Sequence, residues 1–173
     1  MHKAYILCQS QSSLSISDIL KLTYGDVQSQ IEKGLDHIHL RLLRIKEKQL
    51  GLFDTFFGKM ATLALREYLS TRKDLKEADR LFPCTSRNVN NFLKQLSARA
   101  GLRWTVSSHD LRKYFATNLK LARVSDPAFN EMLIEYWQGH SLGKVKGAYF
   151  LSPVEEQLRL YKLAESRLEP IFR

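Results

Sequence analysis

The sequence predicts an α+β fold, mainly α, with one small antiparallel sheet. Three observations carry that expectation. Apolar residues recur at helical spacing through most of the chain after Lys59. One stretch, residues 37–44, alternates with period two instead. A second extended run, residues 52–57, follows it across a charged turn that contains Gly51. No internal repeat or low-complexity tract divides the 173 residues, a length suited to one domain with a real core.

Taken in order, residues 5–8 are apolar and give way to the polar string Gln9-Ser10-Gln11-Ser12-Ser13, an abrupt start that suggests a fragment. Residues 15–22 read as a short helix that Ser15 or Ser17 can cap, with Ile16, Ile19 and Leu20 on one side. A second helix, residues 26–33, stops at Gly34. In residues 37–44, His37, His39 and Arg41 alternate with Ile38, Leu40 and Leu42, as in a strand with one buried face. Lys46-Glu47-Lys48-Gln49-Leu50-Gly51 then makes the turn of a hairpin whose tip and rim carry lysines. From Lys59, helical spacing returns with Met60, Leu63, Ala64 and Tyr68, and residues 88–100 place Phe92, Leu96 and Ala100 on one face. Ser108 can cap a helix from His109 to about Arg123 whose core stripe is Leu111, Phe115, Leu119 and Ala122. His109 and Arg112, three apart, share a face away from that stripe. Pro127 opens a helix through Met132, Leu133 and Tyr136 towards Trp137. Pro153 starts the last, with Val154, Leu158, Tyr161 and Leu168 as its apolar side.

The charge balance narrows the partner. Lys plus Arg number 27 against 18 Asp plus Glu, a formal charge of +9, which favours an anionic partner, most commonly nucleic acid. There is no apolar run long enough to span a bilayer, and the start has too short an apolar core for a signal peptide. Cys8 and Cys84 lie outside any CxxC pattern, so a reduced, cytosolic protein without structural zinc is the default. His37 and His39 have no carboxylate or cysteine at a spacing that completes a metal site, and they read as facing DNA or solvent.

Reactive side chains cluster twice, at His109-Asp110-Leu111-Arg112 and in the stretch HSLGKVKGAY from His140 to Tyr149. The second cluster follows Gly139, holds Lys144 and Lys146, and ends on a tyrosine nine residues beyond the histidine. A tyrosine can attack a phosphodiester if the non-bridging oxygens are neutralised, its own proton is removed, and the leaving oxygen receives one. The planar guanidinium of Arg112 can meet two such oxygens at once. His109 can move a proton near neutral pH, and His140 can donate a hydrogen bond to the phosphate. A hairpin lysine can protonate the leaving 5′ oxygen. This chemistry calls for neither metal nor cofactor.

In this order the residues resemble the catalytic domain of the tyrosine recombinases, the phage-type and archaeal-type integrases. That family is marked by an arginine in a Gly-Leu-Arg-x-Ser-Glu-like segment, a hairpin lysine, a His-x-x-Arg helix start, a Gly-His pair and a nucleophilic tyrosine. Here the hairpin is HIHLRLLRIKEKQLGLFDTFFG, the helix start is HDLR and the last part is QGHSLGKVKGAYF, so the resemblance runs over essentially the whole chain.

The resemblance implies one catalytic domain over residues 1–173, helical with a small three-stranded antiparallel sheet, without the separate N-terminal domain that many members use to clasp the duplex. It implies a site-specific recombinase or integrase that cleaves and rejoins double-stranded DNA through a 3′-phosphotyrosyl intermediate. Tyr149 would be the nucleophile and Arg112 the clamp on the scissile phosphate. His109 and His140 would bind the phosphate and transfer protons. Lys48 would be the general acid, with Lys46 as its rival, and Arg44, Lys46, Lys144 and Lys146 would lie along the DNA. The last helix resembles one that often packs on a neighbouring protomer, and its apolar side would serve that use or docking on its own core equally well. The implied assembly is a tetramer on DNA and a monomer or weak dimer alone, in the cytoplasm at the nucleoid and away from membranes.

One position departs from the pattern. The segment SSLSISDILKL aligns with the family's Gly-Leu-Arg-x-Ser-Glu-x-Leu-x-Leu and sets Ser15 where the first arginine belongs. A serine hydroxyl donates one hydrogen bond and brings no charge. Loss of one preorganised donor lowers a rate on the order of a hundred- to a thousand-fold. Either Arg44 or Lys21 substitutes, or a different clamp operates, or the chain is a catalytically weak or inactive DNA-binding accessory relative. A topoisomerase-like or nuclease outcome would use the same chemistry. The helix of residues 88–100, with Arg87, Lys94 and Arg99, is a further candidate for a DNA groove or a merely solvated face.

Overall fold

The computed structural model describes residues 1–46, 49–125, 131–140 and 153–169. In chain order they form α1 (His2–Ser12), α2 (Ile16–Ile19), α3 (Gln28–Glu32), β1 (Ile38–Lys46), β2 (Gln49–Phe57), α4 (Lys59–Leu69), α5 (Ser86–Arg99), α6 (Ser108–Ser125), α7 (Glu131–Trp137) and α8 (Val154–Leu168). The expected mainly helical architecture holds.

The largest departure lies at the start. The polar string supplies the buried second half of α1, where Gln9, Ser10, Gln11 and Ser12 join Tyr5 and Cys8 out of solvent. A helix covered on all sides has no polar face, so its period is invisible in sequence. Partners from other elements make the burial possible. The Gln11 side chain accepts from Ala61 N at 3.1 Å and donates to Leu168 O at 3.4 Å, and its backbone oxygen accepts from Tyr161 Oη at 2.8 Å. Ser12 O accepts from Thr55 Oγ1 at 2.7 Å. Gln9 Nε2 donates to Leu14 O at 3.1 Å and to Ser108 Oγ. A buried polar group left without a partner costs about 1–3 kcal/mol, so these matches decide that the string can sit at the centre.

The strands pair antiparallel from Ile38↔Phe57 to Lys46↔Gln49. Both run further into the turn than the sequence suggested. The sheet has two strands among the described residues, not the three expected. Further antiparallel pairing there is limited to the isolated bridge Thr23↔Arg80, supported by Tyr24 N to Asp79 O at 2.8 Å. The ribbon separates two cores. Ile38, Leu40, Phe53 and Phe57 join the core built with α1, α4 and α5. Phe56 points the opposite way, as strand alternation requires, into Phe115, Leu119, Trp137, Leu160 and Tyr161. It meets Trp137 edge-on at 6.1 Å and Tyr161 at 5.2 Å. Each such buried aromatic contributes roughly 1.5–3 kcal/mol over an exposed one.

Several boundaries shift for local reasons. Asp26 Oδ2 accepts from Thr23 N at 2.7 Å, closing a turn where a helix start was expected, and α3 begins only at Gln28. α5 begins at Ser86 because Thr85 and Asn88 cap it reciprocally. On α8 the buried positions are Gln157, Leu160, Tyr161, Ala164, Glu165 and Leu168, while Val154 and Leu158 are only partly covered. Glu165 Oε1 accepts from Lys59 N and so caps α4, whose own N-cap, Gly58, has no side chain to do it. A Cβ at Gly58 would lie 2.5 Å from Glu165 Oε1 and 2.8 Å from Gln11 Oε1. No described helix is long and apolar enough to cross a membrane.

Candidate active site

The helix that carries His109 and Arg112 is fixed at its first turn. Ser107 N and Ser107 Oγ donate to Asp110 Oδ2 at 2.9 and 2.7 Å, and Asp110 N donates back to Ser107 Oγ at 3.3 Å. This reciprocal box makes Ser107 the cap, one residue before the expected Ser108. Ser108 is instead buried, with its hydroxyl against Gln9. The bonds from the Ser107 side chain and backbone hold the Asp110 carboxyl below its usual value. His109 is exposed on that first turn, while Arg112, one turn on, is half-buried.

Helix α7 ends in a Schellman turn. Gly139 takes a left-handed conformation at φ 65°, its N–H donates to Tyr136 O at 2.8 Å, and His140 N donates to Glu135 O at 2.9 Å. Only glycine adopts that conformation without strain, which is the structural reason for a Gly-His pair here. The turn delivers His140 to Arg112. Arg112 Nη1 donates to Ser13 O at 2.7 Å, and Nη2 donates to Gln138 O at 2.6 Å and to His140 Nε2 at 3.0 Å. A guanidinium can only donate, so Nε2 is the acceptor, and Nδ1 is left as the donor of a neutral His140 ring. A guanidinium and an imidazole side by side can meet an oxyanion together. The three elements involved, the end of α1, the start of α6 and the end of α7, are far apart in sequence.

Helix α7 also meets the ribbon at a buried carboxylate, Asp54, that the sequence reading missed. Asp54 Oδ1 accepts from His39 Nε2 at 2.7 Å, and its Oδ2 accepts from Tyr136 Oη at 2.6 Å. Burial works to raise the Asp54 carboxyl, but the bonds from His39 and Tyr136 and the nearby His39 and Arg41 charges outweigh it and leave it lowered. Burial first, then the bond to Asp54, pushes the Tyr136 phenol up. His37 pairs separately with Glu165 at 2.7 Å. Both histidines are half-buried, and each is tied to its own carboxylate. The one signal available was Asp54 itself, a lone charge in β2.

Ser15 occupies the cap of α2, accepting from Asp18 N at 3.2 Å and bonding Asp18 Oδ2 at 2.7 Å. Lys21 is exposed. Arg44 and Lys46 lie on β1, opposite Gly51 and Gln49. Lys48, Lys144, Lys146 and Tyr149 lie outside the described residues. Among the described residues no group of three or more His, Cys, Asp or Glu could hold a metal ion.

The model of the phage integrase family matches residues 1–142. Among solved structures, XerA recombinase is similar over 92% of this chain and 56% of its own length, at 20% identity and a TM-score of 0.61. The XerH site-specific recombinase, solved bound to its difH substrate as a pre-cleavage complex, is similar over 92% of this chain and 45% of its own length, at 20% identity and a TM-score of 0.57. The chain thus spans about half the length of these structures, and at such identity the likeness is one of fold. No curated protein matches.

Proposed function

Because this chain belongs to the phage integrase family, the tyrosine recombinases, we propose that it is a catalytic domain for site-specific recombination or integration of double-stranded DNA. In this reading the Tyr149 oxygen attacks the scissile phosphorus and forms a 3′-phosphotyrosyl bond. The bond from phosphorus to the 5′ oxygen breaks, and Lys48, or its rival Lys46, gives that oxygen a proton. Attack by a 5′-hydroxyl of the partner strand reverses the sequence and rejoins the DNA. Arg112 clamps the non-bridging oxygens, His109 moves the proton of the nucleophile, and His140 bonds the phosphate. Arg44, Lys46, Lys144 and Lys146 bind the flanking backbone. The domain assembles as a tetramer on its site in the cytoplasm.

The observation that supports this most is the meeting of Arg112 and His140 at 3.0 Å, from helices separated in sequence, over the carbonyl of Ser13. A helix-surface arginine with no task would be solvated. A second reading has its own observation: Ser15 is engaged as a helix cap, so nothing at that position supplies the charge of the family's first arginine. On that reading the chain binds DNA and cleaves it weakly or not at all.

A nicked suicide duplex separates the two. A covalent adduct with the wild-type protein that vanishes in Tyr149→Phe supports the recombinase. Retardation of the duplex with no adduct supports the binding relative.

A further inference from the structure

We infer that Ser13 and Gln138 are positioning residues, whose side chains form a clasp that holds the Arg112 guanidinium in register with His140. Ser13 is fully buried and takes a left-handed conformation, φ 57° and ψ 19°. L side chains adopt that conformation only under strain. For backbone conformation alone glycine would be the better residue.

The serine has two polar groups, and they have separate tasks. Its carbonyl accepts from Arg112 Nη1 at 2.7 Å. Its hydroxyl accepts from Gln138 Nε2 at 3.3 Å. Gln138 is buried as well, and its own carbonyl accepts from Arg112 Nη2 at 2.6 Å. The three residues therefore close a ring. Two carbonyls hold the two Nη atoms, and the side-chain bond between Ser13 and Gln138 sets the distance between those carbonyls. A planar fork has a fixed separation of its donors, so it is held only if its two acceptors keep a matching separation. The side-chain bond touches neither Arg112 nor His140. It acts through the end of α1 and the Schellman turn of α7, each of which carries one of the carbonyls.

As a device for catalysis the clasp rests on the reading of Arg112 as a phosphate clamp; as a device for geometry it does not. Two measurements on Ser13→Gly, Gln138→Met and the double variant keep these apart. Ser13→Gly keeps the carbonyl, removes the hydroxyl and relieves the left-handed strain, so the loss of the Gln138 bond is partly offset and the protein is expected to stay folded with a melting temperature near that of the wild type. Without DNA, a long-range proton–nitrogen NMR spectrum of the His140 ring is expected to show mainly the Nδ1–H form in the wild type, because Nε2 accepts from Arg112. In both single variants it should show a mixture of forms. On a saturating suicide duplex, adduct formation should fall on the order of ten- to a hundred-fold in each single variant, the size of effect expected from slight misplacement. The double variant should be no slower than either, since one contact is broken in all three. A Ser13→Gly protein with an unchanged ring spectrum and an unchanged adduct rate would overturn the clasp. If the wild type forms no adduct, the recombinase reading falls, and an unchanged His140 spectrum in Ser13→Gly still overturns the clasp on its own.

Discussion

Tyr136 Oη donates to Asp54 Oδ2 at 2.6 Å, across the junction between the ribbon and α7. The same carboxylate takes His39 Nε2 at 2.7 Å. One buried anion thus joins the ribbon that carries Lys46 to the helix that leads into Gly139 and His140.

Removing the phenol tests that junction. Tyr136→Phe leaves a buried carboxylate with one donor fewer, and the fold should lose about 1–3 kcal/mol. Urea melts at neutral pH measure the loss. An undiminished midpoint would mean that the bond is solvated in practice.

Acid should act through the same carboxylate. Its folded-state pKa lies below the ordinary value of 3.8. Its stabilisation is therefore complete above the unfolded value and is lost as pH falls through the folded one. Asp54→Asn should start less stable than the wild type at neutral pH and lose less on acidification below about pH 4, where the wild-type group titrates. Urea midpoints across that range give the comparison.

Gly58→Ala addresses packing alone, since an ordinary φ of −74° makes alanine acceptable to the backbone there. The added methyl would press on Glu165 Oε1, Gln11 Oε1 and the Tyr161 hydroxyl, the last at 3.0 Å. Overpacking of this kind costs about 1–3 kcal/mol. The melting temperature should fall, and the contact between α8 and α4 should loosen first in hydrogen exchange.

Ser15→Arg trades one role for another. Loss of the α2 cap should reduce stability by about 1 kcal/mol. On the recombinase reading, the new guanidinium should nevertheless speed adduct formation on the suicide duplex. A slower or equal rate would argue that the clamp in this chain is complete without it.

Arg112→Lys keeps the charge and discards the fork. A single ammonium cannot hold Ser13 O and Gln138 O in the geometry of the two Nη atoms. Adduct formation should drop on the order of a hundred-fold or more. DNA retardation at low salt should change far less, because the net charge is conserved.

How much of this was legible beforehand differs by element. The ribbon announced itself through the alternation of His39 and Arg41 with Ile38 and Leu40, and burial follows that alternation. The start of α6 was legible to within a residue, because Ser107 and Ser108 are both capping residues and only the position of Asp110 decides between them. The turn at Gly139 was legible as a glycine and not as a device that aims the next side chain. α1 was not legible at all. Its polar half is stabilised by atoms of Ala61, Thr55, Tyr161 and Leu168, and no local pattern encodes partners so remote. The carboxylate partners of His37 and His39 were hidden for the same reason: a histidine beside a distant carboxylate looks, in one dimension, like a histidine in water.

The reach of α1 has a consequence for how the molecule comes to be made. Gln11 is bonded to Tyr161, 150 residues later, and to Leu168, 157 residues later. A nascent chain leaving the ribosome would present the glutamines and serines of its first helix long before their partners exist. Contacts of such sequence separation slow folding and leave incomplete intermediates exposed. Consolidation of this domain should therefore be a late, cooperative event, completed only once the last helix has emerged to close over the first.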